Sequence, residues 1–307
     1  MLNILTASDL LDEVQKLYER GMPRGDKTGW IELDRYYSIQ QGYWTVITGI
    51  PSHGKSTWMD NLMVHLMASG WKFVIYSPEN QPHQIHVASL IEKIIGSPMR
   101  TGYSTRVSPA DIAQAISLID DSIRFLALPD DALCMATLDD VLEMADQAIP
   151  DLGDKVAILI DPWNELDHTR VLGMAETEYI SYQLSKWRQY HRSRNTHGFI
   201  VAHPTKIMRT RSNDGTPGKF VVPSLYDING SAHWFNKTDN GIVIWRDEDK
   251  PGTVEIHVKK VKFKHCGAPG VAYLDYDAVT GIYYDGLGYD SQRYTGMGQR
   301  PCNFDRD

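Results

Sequence analysis

Eight consecutive residues, Gly49-Ile50-Pro51-Ser52-His53-Gly54-Lys55-Ser56, limit what this chain can become more than any other stretch. They form an uninterrupted G-x-x-x-x-G-K-[ST], a loop whose backbone N–H groups can turn inward around phosphate oxygens. Lys55 can then neutralise β/γ charge, and the Ser56 hydroxyl can hold Mg²⁺. An accidental glycine turn would lack the right flanks. Here Tyr43 to Thr48 (YWTVIT) reads as a buried strand, and Trp58, Met59, Leu62, Met63, Leu66 and Met67 recur at helical spacing up to Gly70. The pattern predicts strand, loop and helix, with the positive end of the helix adding to a nucleoside triphosphate site. Gly49, Pro51, Ser52, His53, Gly54, Lys55, Ser56 and Thr57 are the expected contacts.

Downstream the pattern alternates. Lys72 to Ser77 is an expected strand, Gln84 to Ile95 a helix ended by Gly96, and Ser108-Pro109 a cap and first helical residue. Ser122 to Leu128, Val156 to Ile160 (VAILI) and Phe199 to Ala202 are expected strands; Thr137 to Ala148 and Thr177 to Arg192 are expected helices. Fully apolar strands alternating with helices predict an α/β fold, a mostly parallel sheet covered on both faces. From residue 241 the helical pattern stops. Gly241 to Trp245, Val254 to Val261, Val271 to Tyr276 and Gly281 to Tyr284 are expected to form an antiparallel C-terminal addition.

Three segments make up the expected organisation: residues 1–27, 28–285 and 286–307. In the first, Ser8 can cap a helix running through Arg20, with Leu10, Leu11, Val14, Leu17 and Tyr18 on one stripe, before a polar linker from Pro23 to Thr28. The stripe can pack on its own domain or dock on a neighbouring subunit. The last segment is glycine-rich and aperiodic, an expected flexible tail. The 42% apolar content suffices for a full core, and no stretch approaches the length of a membrane span. An acidic N-terminus, unlike a targeting peptide, points to a cytoplasmic protein. Cys134, Cys266 and Cys302 lie far apart without metal-ligand spacing. A net charge of −8 excludes a surface coated for nucleic acid, so such binding needs a local basic patch.

In parallel sheets ligands collect at the carboxyl ends of the strands. Asp161 follows VAILI, where a carboxylate can complete the Mg²⁺ shell beside Ser56. Glu79 follows KFVIYSP and can activate the attacking water, although a helix-capping or surface glutamate would also fit. His203 ends FIVA and can sense a γ-phosphate; it can equally be a satisfied polar group. After it, Lys206, Arg209, Arg211 and Lys219 lie in a Gly/Pro/Asn-rich loop against one acid, Asp214. A second polar loop carries Asn229, Gly230, Ser231, His233, Trp234, Asn236 and Lys237. Such loops suit a single-strand phosphate backbone. A solvated loop explains the charges as well.

In order, GIPSHGKS, YSPEN, VAILIDPWNEL, IVAHPTK, SLYDINGSAHWFNKTDNGIVIW, VKKVKF and YLDYDAVTGIYY resemble the DnaB-type hexameric replicative helicases, in the branch of the bacteriophage T7 primase-helicase and Twinkle. The resemblance covers roughly residues 28 to 285. It implies a RecA-like P-loop NTPase that uses ATP or another NTP or dNTP with Mg²⁺. Glu79 would be the catalytic glutamate, Asp161 the Walker B aspartate and His203 the γ-phosphate sensor. Lys206, with Arg209 and Arg211 near it, would lie in the first DNA loop, and Gly230, Ser231, Asn236 and Lys237 in or beside the second. Tyr276 would stack on the base, and the N-terminal helix would latch onto the next subunit.

Two departures stand out. Where the family has a lysine followed two residues on by an arginine finger, this chain has Lys260 and Lys262. No primase or zinc-binding region is expected before residue 28, so priming would come from another chain. The resemblance also implies single-stranded DNA, a homo-hexameric ring, and primase and DNA polymerase as partners, with no membrane. The rival expectation is a recombinase-like ATPase that forms filaments on DNA or clamps it without unwinding. A small-molecule kinase is a third, disfavoured by the long cationic loop.

Overall fold

The computed structural model describes residues 3–286, apart from 104, 130–133, 170–172, 206–207, 212–216, 231 and 251. Lys206, Ser231 and the tail from 287 therefore lie outside the described residues.

A nine-stranded sheet organises the chain. Its parallel part comprises β1 (Trp44–Thr48), β2 (Lys72–Tyr76), β3 (Ile123–Leu126), β4 (Val156–Ile160), β5 (His197–Val201) and β8 (Asn240–Arg246). β9 (Thr253–Val261), β10 (Gly270–Tyr276) and β11 (Tyr283–Tyr284) continue it antiparallel, which gives the order β11-β10-β9-β8-β1-β5-β4-β2-β3. The antiparallel addition thus begins one strand later than expected. The residues of β8 before Arg246 are buried, and it lies beside β1, so it has the two-sided apolar character of the parallel core.

The pleat divides each strand between two cores. Phe73, Ile75, Ala157, Leu159, Phe199 and Val201 meet α2 (Lys55–Ala68), α3 (His83–Ile95) and α4 (Pro109–Ser122). Val74, Tyr76, Ile158, Ile160 and Ile200 meet α5 (Leu138–Leu152), α6 (Glu176–Arg194) and α7 (His233–Lys237). Ser108 and Thr137 each close a capping box with the aspartate three residues on. Gly96 ends α3 in the left-handed conformation that glycine adopts without cost.

Helix α1 (Leu11–Arg20) buries no residue, and Leu10, Leu11, Val14 and Leu17 are all exposed, so its stripe does not pack on its own domain. Ser8 does not cap it: Ser8 opens a short 3-10 turn to Leu10, the N-cap of α1, which makes no side-chain cap bond, while Thr6 and Asp9 exchange side-chain-to-backbone hydrogen bonds at the start of that turn. The expected linker is also corrected. Asp26 pairs with Ile39, and its carboxylate accepts from Trp71 Nε1 and Lys155 Nζ at 2.9 Å each, which fixes this segment to the domain.

The cationic loop after β5 is not structureless. It contains β6 (Arg209–Arg211) and β7 (Pro217–Phe220), paired antiparallel. Short strands among Gly, Pro, Asn and Ser carry little hydrophobic periodicity, which hides them in the sequence.

Candidate nucleotide site and strand-binding loops

The phosphate loop leaves β1 at the switch point, where β5 lies on one side of it and β8 on the other. Two glycines make the loop possible. A Cβ on Gly49 would sit 2.2 Å from Ile244 O, and one on Gly54 would sit 2.3 Å from Tyr283 Oη, each at positive φ. Pro51 and Ser52 form the exposed tip, Ser52 with φ 65°, while Ser56 and Thr57 open α2.

Lys55 is 5% exposed and donates to Gly49 O at 2.9 Å and Ile50 O at 3.3 Å. Burial lowers its pKa to about 8, opposed by the carboxylates of Asp161 and Glu79. Asp161, 3% exposed at the end of β4, is pushed up to about 7, chiefly by desolvation and against a hydrogen bond from the Ser56 side chain. A buried carboxylate beside a hydroxyl and a buried ammonium is poorly compensated alone, and a divalent cation with a triphosphate would complete the charge balance. These residues therefore fit MgNTP, with Ser56 and Asp161 on the metal side.

Glu79 and His203 meet across the exits of β2 and β5, Glu79 Oε1 lying 3.8 Å from His203 Nε2. Glu79 is exposed, whereas burial, then the Lys55 charge, lowers the pKa of His203 and favours its neutral form. Its Nδ1 is buried without a partner among the described residues. Replacing Glu79 by Gln removes a proton acceptor and leaves the cradle intact. Glu79→Gln is expected to bind nucleotide normally and lose about 10²–10⁴-fold in turnover, read as kcat beside nucleotide affinity.

Across the loop, Tyr276 lies under the Arg246 guanidinium, 4.8 Å from the ring centroid, and 4.9 Å from the ring of Tyr283. Tyr283 Oη donates to Gly54 O at 3.3 Å, and the buried Arg246 Nε has no partner among the described residues. Flat cationic and aromatic surfaces here can hold a planar base. Arg246 is absent from the expected set. Its signal is a cation directly after the apolar run IVIW, at the same sheet end as Asp161.

Both polar loops begin next to this site. Pro204 pairs with Ile228, and Asn229 N donates to His203 O, which joins the roots of the two loops beside the expected sensor. Two of the cations of the first loop are already engaged. Arg209 pairs with Glu248 at 3.3 Å and Lys219 with Asp247 at 3.1 Å and with Asp249, three acids that the reading of one acid at Asp214 does not count. Arg211 lies on β6. Gly230 (φ 87°) lies in the second loop and exposed Asn236 beside it on α7, but Lys237 Nζ, also on α7, is bound to Ser181 O and Ser185 Oγ of α6. The structure thus turns Lys237 inward.

Lys260 and Lys262 lie elsewhere. Lys260 Nζ donates to Phe235 O and Asn236 O, and exposed Lys262 pairs with the buried Asp239 carboxylate at 3.2 Å. Val261 pairs with Asn240, which pairs with Thr45 at the beginning of β1. At about 3.3 Å per residue, Val261 is therefore roughly 13 Å along the sheet from its own phosphate loop, and Lys262, opposite Asp239, is one residue farther.

The arrangement defines the chain's class: its fold is that of the RecA-like ATPase domains. One solved ATPase domain superposes with a TM-score of 0.74 at 16% identity, over 92% of this chain and 99% of that one. A DnaB-like replicative helicase, solved to study its interactions with primase, gives 0.72 at 16%, over 92% of this chain and 67% of that one. The RadB recombinase gives 0.55 at 13%, over 84% and 98%. Within that class the sequence is similar to the Twinkle homolog protein, chloroplastic/mitochondrial, of Arabidopsis thaliana, with 38% identity over 296 residues. The alignment covers 93% of this chain and 40% of that relative, so the chain spans less than half its length. No family model matches. No helix among the described residues is long and apolar enough to cross a membrane.

Proposed function

We propose that this chain is the motor domain of a replicative DNA helicase of the DnaB type, Twinkle branch: a ring, hexameric by family resemblance, that hydrolyses ATP or another NTP to move along single-stranded DNA and unwind duplex. The observation that carries the reading is the continuity at His203. One residue reaches Glu79 at 3.8 Å, while its own backbone joins the roots of both polar loops. A change at the γ-phosphate position can therefore reach the strand-binding loops without an intermediary.

Magnesium, when bound with the triphosphate, supplies charge neutralisation at the β- and γ-phosphates. Ser56 and Asp161 would hold it, Lys55 would turn from its own loop carbonyls to the phosphate oxygens, and Glu79 would orient and deprotonate the attacking water. Arg246 and Tyr276 would enclose the base. Lys206, Arg209, Arg211, Gly230, Ser231 and Asn236 would track the phosphate backbone, with Lys237 of α7, bonded to α6, supporting the second loop. The exposed stripe of α1, within the N-terminal segment 1–27, would latch onto the neighbouring subunit, and residues 286–307 would serve as a tail. Primase and DNA polymerase remain the proposed partners, and the cytoplasm of a bacterial or phage-infected cell the proposed compartment.

Gel filtration and electron microscopy of particles formed with ATP test this reading. Closed rings are the expected result. Open filaments on DNA would favour the recombinase-like alternative, whose fold relative superposes less closely than the DnaB-like helicase does.

A further inference from the structure

The β6–β7 hairpin is packed onto the phosphate loop through one aromatic ring. Phe220 presents an edge-to-face contact to His53, with centroids 6.2 Å apart and planes at 77°, within the range of a favourable aromatic pair. On Phe220 lies the Arg209 guanidinium, 3.5 Å from the ring centroid. His53 is fixed in turn, because its Nδ1 accepts from Arg246 N at 2.9 Å. Directly after Arg246 come Asp247, Glu248 and Asp249, the acids that grip Arg209 and Lys219. One turn of chain thus supports the phosphate loop and restrains the cationic hairpin above it.

We propose that Phe220 is a positioning residue for the phosphate loop, acting through His53, and that the Asp247-Glu248-Asp249 turn holds it in place until a polyanionic single strand takes over Arg209 and Lys219. This rests on the single-strand reading given above. Arg209 pairs with a carboxylate and lies on a ring but retains unused donors, and Lys219 is half exposed, so phosphate oxygens can reach both. Exposed ion pairs are weak, and a strand that releases its counterions on contact can displace them. Once the cations move to the strand, the hairpin loses its hold on the turn, Phe220 leaves His53, and the loop is free to close on nucleotide. Strand occupancy then sets the rate of hydrolysis.

The test compares turnover with and without oligo(dT) for the parent and for Glu248→Gln/Asp249→Asn, which keeps side-chain shape and removes two charges. DNA-free kcat should rise about 3- to 10-fold towards the stimulated rate, and oligo(dT) should bind about 3-fold tighter, as expected for pairs of this strength. Phe220→Ala should also raise the DNA-free rate and flatten stimulation while leaving the salt dependence of strand binding unchanged. Phe220→Tyr, which keeps the ring, should restore the parent's behaviour. A stimulated parent whose acidic-turn and Phe220→Ala variants match it in both rates overturns the restraint and leaves the DNA reading standing. A parent that oligo(dT) neither binds nor stimulates overturns the DNA reading, and the release step with it.

Discussion

Lys55→Ala is expected to abolish hydrolysis, with turnover falling about 10²–10³-fold or more, the scale seen when one preorganised donor to developing charge is removed. The structure explains why no neighbour substitutes. Lys55 is the ammonium buried inside the loop, charged at neutral pH with a pKa of about 8, and Arg246 is committed to the tyrosine side of the site. Removing the side chain takes away the buried ammonium on which the Asp161 carboxylate acts. The measurement is phosphate release with nucleotide binding in parallel. Near-parent turnover would mean that the site is elsewhere.

Lys262→Ala should also lose most hydrolysis while nucleotide still binds, by about 10²-fold, below the effect of an arginine finger because a lysine offers one compact charge and no fork. Lys262 cannot do this in its own subunit, since the sheet separates it from its own phosphate loop by the length of β1. Its exposed amine, held by Asp239, faces outward from the far end. Lys262→Arg should match or exceed the parent. Mixed with Lys55→Ala subunits, Lys262→Ala subunits should regain activity above either alone, because some interfaces then join an intact loop to an intact lysine. Without recovery in rings shown to be mixed, the finger role passes to Lys260, although its amine is already bonded to α7 carbonyls.

What is legible in the sequence follows from which interactions are local. VAILI reads as a buried strand because both faces are apolar, and Ser108 reads as a cap because the cap bonds span three residues. The phosphate loop, Asp161 and Glu79 follow from position relative to those strands. The ion pairs of Arg209 and Lys219 do not, because their acids lie 28 to 39 residues away and meet them only once β8 and β7 converge. For the same reason Lys237 reads as free, its partners on α6 being 52 and 56 residues earlier. Arg246 escapes notice because its guanidinium lies over Tyr276 from another strand, which sequence spacing does not bring beside it.

Unwinding of a forked DNA duplex bearing a single-stranded arm tests the central claim most directly. The account predicts strand separation that requires ATP and Mg²⁺, is lost in Lys55→Ala and Glu79→Gln, and fails on blunt duplex. ATP-dependent binding to the arm with no strand separation, in preparations that hydrolyse ATP, would contradict it and leave a clamp or filament in its place.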